Sequence, residues 1–147
     1  MEKEFNIFNL AIGDTADYHV TDAAGNPQYF DAERTRPVTI TVVSPGTKKG
    51  AAAEFKRNAA RSDRTIAQMS GKTIQRNEND DINERAAFLA EITTGMNFDM
   101  PGGALALYKN LPLGHVADGV EKFYNDRGNF IKNSAASSSS TPATQPG

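Results

Sequence analysis

The sequence lacks several features that usually indicate a protein's function. Its 147 residues include no cysteine and no tryptophan, so disulfide bridges and thiolate metal sites are excluded. No stretch approaches the ~20 consecutive apolar residues of a membrane-spanning helix, and the N-terminus has no apolar segment typical of a signal peptide. We therefore expect a soluble, unexported protein that makes no contact with membranes and has the size of one domain.

Patterns for acid–base, nucleophilic or metal chemistry are also absent. The two histidines, His19 and His115, have no partners at catalytic or metal-ligand spacing. The sequence SGKT at 70–73 lacks the upstream glycine of a phosphate-binding loop. Carboxylates cluster at 80–84, where they suit the positive end of a helix dipole. The sequence therefore predicts no catalytic residue, no cofactor-binding residue and no metal site, and a protein that is not an enzyme.

The N-terminal third of the sequence indicates β-structure. The segment Val38 to Val43, "VTITVV", is almost entirely β-branched and is the clearest predicted strand. Asp17 to Val20 is its predicted antiparallel partner, and the turn formers Gly25, Asn26 and Pro27 lie between the two. Because so small a sheet is only marginally stable alone, we expect it to pack on helices.

Helical periodicity begins after this strand. Ser44 or Thr47 is expected to cap a first helix, which carries two separate stripes. The apolar stripe consists of Ala52, Phe55, Ala59 and Ile66, and the basic stripe of Arg57, Arg61 and Arg64.

Three further helices are predicted toward the C-terminus. The strongest pattern starts at Asp80 or Asp81 and is expected to end at Gly95. One or two helical turns follow in "ALALYKNL", and a closing helix is predicted over 115–133. These assignments give three or four helices in all.

Charge is distributed unevenly along the helical region. Lys48 to Arg76 contains eight basic and two acidic residues, whereas Glu78 to Glu91 contains five acidic residues and one basic residue. Segments of opposite sign attract each other, so one hypothesis is that they dock together. An alternative use of the basic segment is to bind the phosphates of a nucleic acid.

Taken together, these patterns predict an α+β fold. We expect a small N-terminal antiparallel β-sheet or hairpin packed on three to four helices, with an all-α fold and a loose N-terminal arm as the alternative. A single domain would span 1–132, with a β-rich part at 1–45 and a helical part at 46–132. The Ser/Thr/Pro-rich tail at 133–147 is predicted to be disordered.

The order of these features resembles the tail assembly chaperones of long-tailed bacteriophages over about residues 38–133. In that family a strand opens into a helical region, a helix of the "LA..IT.W" type follows, and a segment ending in "LYKN.P" precedes a helix that closes on "NF". The matching residues are Leu89, Ala90, Ile92 and Thr93, then Leu107, Tyr108, Lys109, Asn110 and Pro112, then Asn129 and Phe130. Met96 or Phe98 stands where the family usually has tryptophan.

This resemblance implies a non-enzymatic role in phage tail assembly. Such chaperones bind the long tape measure protein, help to bring tail tube subunits to it, and act in the host cytoplasm without entering the finished particle. The alternatives are a structural subunit of the virion, such as a tail or head-completion protein, and a small nucleic-acid-binding protein. A homo-oligomer is compatible with any of these functions.

A chaperone for a helical client needs an apolar or alanine-lined groove with charged rims. We expect two surfaces to contact the client, one on the basic helix and one on the final helix. Their residues are Phe55, Arg57, Arg61 and Arg64 on the first, and Phe123 and Phe130 on the second. The alternative for both aromatic residues of the final helix is a place in the core.

Overall fold

The computed structural model describes residues 5–71 and 78–131. Within these ranges the chain has an α+β fold, in which a three-stranded antiparallel sheet packs against helices. This confirms the predicted fold class. The predicted tail at 133–147 lies outside the described residues.

The sheet has the strand order β1-β2-β3, so that β2 is the central strand. The strands are β1 (Thr15–His19), β2 (Thr39–Val43) and β3 (Thr93–Met96). Thr15 lies opposite Val43 in the antiparallel pairing of β1 with β2. The predicted pairing of the two N-terminal strands is therefore confirmed.

The third strand comes from a segment that we predicted to be helical. The helix expected to continue to Gly95 ends at Ile92, and Thr93 to Met96 instead pairs with β2. The division into a β-rich part at 1–45 and a helical part at 46–132 is wrong at this point. The physical reason is that β2 is buried, and a central strand needs hydrogen-bonding partners on both edges.

Thr93 is the first residue after this change from helix to strand. Its hydroxyl donates to the carbonyl of Leu89 at 2.8 Å and is hydrogen-bonded to the hydroxyl of Tyr108 at 2.7 Å. Tyr108 is almost fully buried, and its burial raises the pKa of the phenol to about 12. The phenol of Tyr108 is therefore neutral, and it gives the Thr93 hydroxyl a second hydrogen-bond partner at the edge of the core.

Four α-helices lie in the described residues. They are α1 (Lys48–Met69), α2 (Glu78–Ile92), α3 (Gly103–Lys109) and α4 (Gly114–Asn125), and short 3-10 turns span Ile7–Leu10, Leu111–Leu113 and Arg127–Phe130. The predicted closing helix is therefore too long, because Asp126 accepts from the Gly128 amide at 3.0 Å and starts a 3-10 turn. None of the described helices has the length and hydrophobicity to cross a membrane.

The hydrophobic core lies between the sheet and α2, α3 and α4. Its largest fully buried apolar side chains are Tyr108, Tyr124, Phe130, Ile40, Leu89, Ile92, Val42 and Val120. Only one residue of the core cluster, Ala53, belongs to α1. The longest helix therefore lies beside the core instead of completing it.

Gly119 shows how closely β1 approaches α4. A Cβ atom at this position would lie only 2.0 Å from the hydroxyl oxygen of Tyr18. The Tyr18 ring packs edge-on against Phe123, with ring centroids 5.6 Å apart. Glycine has a low helix propensity, but Gly119 is required for the sheet to reach α4.

Candidate functional site

The candidate functional site lies where α1 meets α2, because α1 buries few apolar side chains there. Thr47 caps α1, since its side-chain oxygen accepts from the Gly50 amide at 3.0 Å. Beyond Ala53, no described residue of α1 is fully buried. The helix nevertheless runs along α2, so a different kind of contact must hold the two helices together.

That contact is an ion-pair cluster around Glu84, whose side chain is only 9% exposed. Its Oε1 atom lies 2.8 Å from Nε of Arg61, and its Oε2 atom lies 2.6 Å from Nη1 of Arg64. Nε of Arg57 stands 3.7 Å from the same carboxylate. The predicted docking of the basic segment on the acidic one is confirmed by these pairs.

The pKa of Glu84 is determined by its burial and by the arginines around it. Burial alone raises the pKa of the carboxyl group, but the hydrogen bonds and charges of Arg61 and Arg64 outweigh burial and hold the pKa below its ordinary value of 4.5. Glu84 is therefore an anion at neutral pH. A buried carboxylate of this kind is stable only while its arginine partners remain in place.

Arg57 extends the cluster to α4. Its Nη1 atom lies 2.8 Å from Oε2 of Glu121, and its guanidinium carbon lies 4.9 Å from the centre of the Phe88 ring. On α2, Nη1 of Arg85 lies 2.5 Å from Oδ1 of Asp118. Charged side chains thus connect three helices on the outside of the core.

The basic stripe of α1 therefore faces the protein instead of forming a free cationic surface. The side chains of Arg57 and Arg64 are 15% and 29% exposed, and that of Arg61 is 52% exposed. All three have carboxylate partners within the chain. The apolar stripe takes the opposite side, and Phe55 is 74% exposed.

Of the two aromatic residues expected on the final surface, Phe130 is part of the core and Phe123 packs against it. Phe130 is 1% exposed, so the expectation that it contacts a partner is wrong and the alternative of a core position is correct. The reason is the 3-10 turn after α4, which places its ring 5.5 Å from that of Phe123. Phe123 is itself half-buried against the core.

An open groove of about 470 Å³ follows one side of the ion-paired contact. Ala53 and Phe88 form its buried floor, and the exposed alanines Ala60 and Ala87 form its walls. The rims carry opposite charges, with Lys56 and Arg64 on α1 and Asp80, Glu84 and Glu91 on α2. Of the residues that the sequence predicted to contact a client, Arg57 and Arg64 line this groove, whereas Phe55 and Arg61 do not.

Ala60 and Ala87 are the site residues that sequence reasoning missed. Each is one turn from another groove residue, since Ala60 follows Lys56 by four positions and Ala87 precedes Glu91 by four. Small residues beside a charged residue are common on helix surfaces. The pattern therefore indicates a groove only when α1 and α2 are known to pack together.

A second cavity of about 530 Å³ lies on the other side of the same contact. It shares Arg57, Arg64 and Glu84 with the groove and adds polar residues. The additional lining residues are Arg61, Thr65, Gln68, Asp81, Ile82 and Arg85. Because this cavity contains several ion-paired groups, it offers little apolar surface to a ligand.

The histidines take part in local structure. Nε2 of His19 donates to the carbonyl oxygen of Gln28 at 2.8 Å, and its ring packs edge-on against Tyr29. His115 is half-buried in the first turn of α4. Among the described residues, no group of three or more histidine, aspartate or glutamate side chains is placed to hold a metal ion.

Comparison with known proteins identifies no relative of this chain. No protein-family model matches the chain. No curated protein matches it, and no solved structure does. Its function must therefore be inferred from the groove and from the sequence resemblance.

Proposed function

We propose that this chain is a non-enzymatic assembly chaperone for a phage tail, which binds the tape measure protein and helps to recruit tail tube subunits. The observation that carries the proposal is the groove between α1 and α2. Its floor and walls are formed by alanine and phenylalanine, and its two rims have opposite charge. These are the properties that favour the binding of an amphipathic helix.

The size of the groove fits such a client. From Ala53 to Arg64 the wall formed by α1 extends about 17 Å, at 1.5 Å per residue, which is about three turns of a bound helix. Ala60 and Ala87 are small enough for another backbone to approach closely. Phe88, which is 6% exposed, supplies a flat apolar floor between them.

The charges on the rims define the client further. A helix with acidic residues on one flank and basic residues on the other would face Lys56 on α1 and Glu91 on α2 with complementary charge. These two side chains now pair across the groove at 2.7 Å, with side-chain exposures of 69% and 36%. An exposed pair of this kind is worth less than about 1 kcal/mol, so a client can displace it at small cost.

The resemblance to tail assembly chaperones supports a tape measure protein as the client, and the shape of the groove supports its binding as a helix. The competing nucleic-acid function finds less support, because Arg57, Arg61 and Arg64 are engaged by carboxylates. A structural subunit of the virion would retain the same groove. The two functions differ in whether the chain remains in the finished particle, where a structural subunit stays and a chaperone does not.

The test is a pull-down of the tagged full chain from infected cells, read by mass spectrometry, together with an inventory of purified particles. We expect the wild-type chain to recover a very long helical tail protein, and Ala60→Arg, which fills the groove, to lose it. Asn58→Arg adds the same side chain at an exposed position outside the groove and should retain it. A fixed number of copies in the particles would contradict the chaperone function and favour the structural subunit.

A further inference from the structure

The face of α1 that is turned away from α2 carries large apolar side chains in contact with solvent. Phe55 is 74% exposed, Ile66 is 61% exposed and Met69 is 81% exposed. Their exposure shows that no other part of the described chain covers them. Three large apolar groups aligned on one helix face are a candidate interaction surface.

These residues belong to a regular pattern that we call the α1 seam. Its positions are separated alternately by three and four residues, which is the spacing of the a and d positions of a coiled coil. The seam consists of Ala52, Phe55, Ala59, Ser62, Ile66 and Met69. It contains no charged residue over its whole length, so it is suited to pair with another helix.

We propose that the α1 seam pairs with the α1 seam of a second copy of this chain in antiparallel orientation. In an antiparallel pair each a position faces a d position of the other helix. One register then places Phe55 opposite Ile66 of the second copy, Ala52 opposite Met69, and Ala59 opposite Ser62. The large side chains meet near the two ends, and the small ones meet at the centre, where the helix axes can approach closely.

The charges beside the seam favour the same orientation. Lys56 and Asp63 lie seven residues apart on one edge of the seam and are both exposed. Lys56 pairs with Glu91 of its own chain at 2.7 Å, an exposed contact that it can exchange for a partner in the second copy at small cost. In the antiparallel register, each Lys56 lies within about one helical turn of Asp63 of the second copy, because the axial rise is 1.5 Å per residue. The helix dipoles also oppose each other in this orientation, whereas a parallel pair aligns them and separates the two charges.

The pair buries a limited surface. α1 contains 22 residues and is therefore about 33 Å long. One helix pair of this length buries less than the ~1,600 Å² of a standard protein interface. The dimer should therefore be weak and should dissociate on dilution. The seam and the client groove lie on neighbouring faces of α1, with Lys56 at their common edge. The dimer does not rest on the proposed chaperone function.

The first test measures the mass of the full chain by sedimentation velocity across a wide range of concentrations. We expect a monomer–dimer equilibrium that Ile66→Asp weakens about a hundredfold or more, because each of two apolar contacts is replaced by a buried charge. Leu111→Asp makes the same kind of change at a residue that is 71% exposed and outside the seam, and should leave the equilibrium unchanged. A wild-type monomer at every concentration would overturn the dimer.

The second test determines orientation with introduced cysteines, which are unique because the chain has none. A mixture of Ala52→Cys and Met69→Cys chains should form mixed disulfides under mild oxidation. Ala52→Cys alone should not crosslink, since the two copies of residue 52 lie about 25 Å apart in the proposed register. Crosslinking of Ala52→Cys with itself would indicate a parallel pair and would overturn the proposed register.

Discussion

The body of this protein and its longest helix are stabilised by different physical interactions. The sheet, α2, α3 and α4 share a core of residues such as Leu89 and Ile92, which are 0% exposed. α1 contributes Ala53 to that core and is otherwise held largely by polar contacts, of which the arginines around Glu84 form the most buried group. Burial of apolar surface depends weakly on salt and pH, whereas ion pairs are screened by salt and lost on protonation. α1 should therefore separate from α2 under conditions that leave the body folded.

The largest expected effect comes from damage to the body. Leu89→Ala removes a fully buried side chain near the C-terminal end of α2 and should lower the free energy of unfolding by about 3 kcal/mol. Urea denaturation followed by circular dichroism measures this loss. Leu105→Ala, at a position that is 41% exposed on α3, is the matched control and should cost about 0.5 kcal/mol. Equal losses for the two variants would contradict the assignment of the core.

A smaller and local effect is expected at the ion-pair cluster. Glu84→Gln retains the shape of the side chain but removes the charge that Arg61 and Arg64 contact. The free energy of opening α1 should fall by about 2 kcal/mol, so amide exchange in α1 beyond Arg57 should become roughly thirtyfold faster. Exchange in α4 should change little, because its core contacts remain.

The matched control for this variant is Glu91→Gln. Glu91 also pairs with α1, but its side chain is 36% exposed and its partner Lys56 is 69% exposed. Its loss should cost about 0.5 kcal/mol or less. If Glu84→Gln accelerated exchange equally in α1 and α4, the two helices would open as one unit, and the separation of α1 from the body would be refuted.

The sequence was sufficient for those parts of the fold that depend on local chemistry. The β-branched run that became β2 was predicted within one residue, because side-chain branching acts on the residue's own backbone. The docking of the basic segment on the acidic one was also predicted, because the sign of a charge is visible in the sequence. Arg61 and Arg64 do face Glu84.

The rest depends on contacts between distant residues. β3 is a strand because Thr93 to Met96 completes the edge of β2, about fifty residues earlier in the chain, and the local pattern of α2 continues across that boundary. Phe130 is buried because a 3-10 turn redirects the chain after α4. The groove requires Ala60 and Ala87 to face each other across two helices, which no pattern within one helix can predict.

The smallest expected effect is a dependence of α1 on pH. Glu84 has a pKa below its ordinary value of 4.5 in the folded protein, so its contribution to stability is fully present above about pH 4.5 and declines as pH falls through the folded pKa. Amide exchange in α1, corrected for its intrinsic pH dependence, should therefore accelerate at acidic pH before the body unfolds. The acceleration should stay below that of Glu84→Gln while the carboxyl is only partly protonated.

Glu84→Gln is also the control for this experiment, because it cannot titrate at position 84. The acidic residues Asp81, Glu91 and Glu121 also lie near α1 and remain in the variant. If exchange in α1 of Glu84→Gln accelerated with acid as steeply as in the wild type, these other carboxylates would be the cause. The other outcome is that exchange in α1 of the variant does not change with pH, while exchange in the wild type accelerates with acid until it reaches the rate of the variant. Glu84 would then be established as the residue whose charge holds α1 against the body.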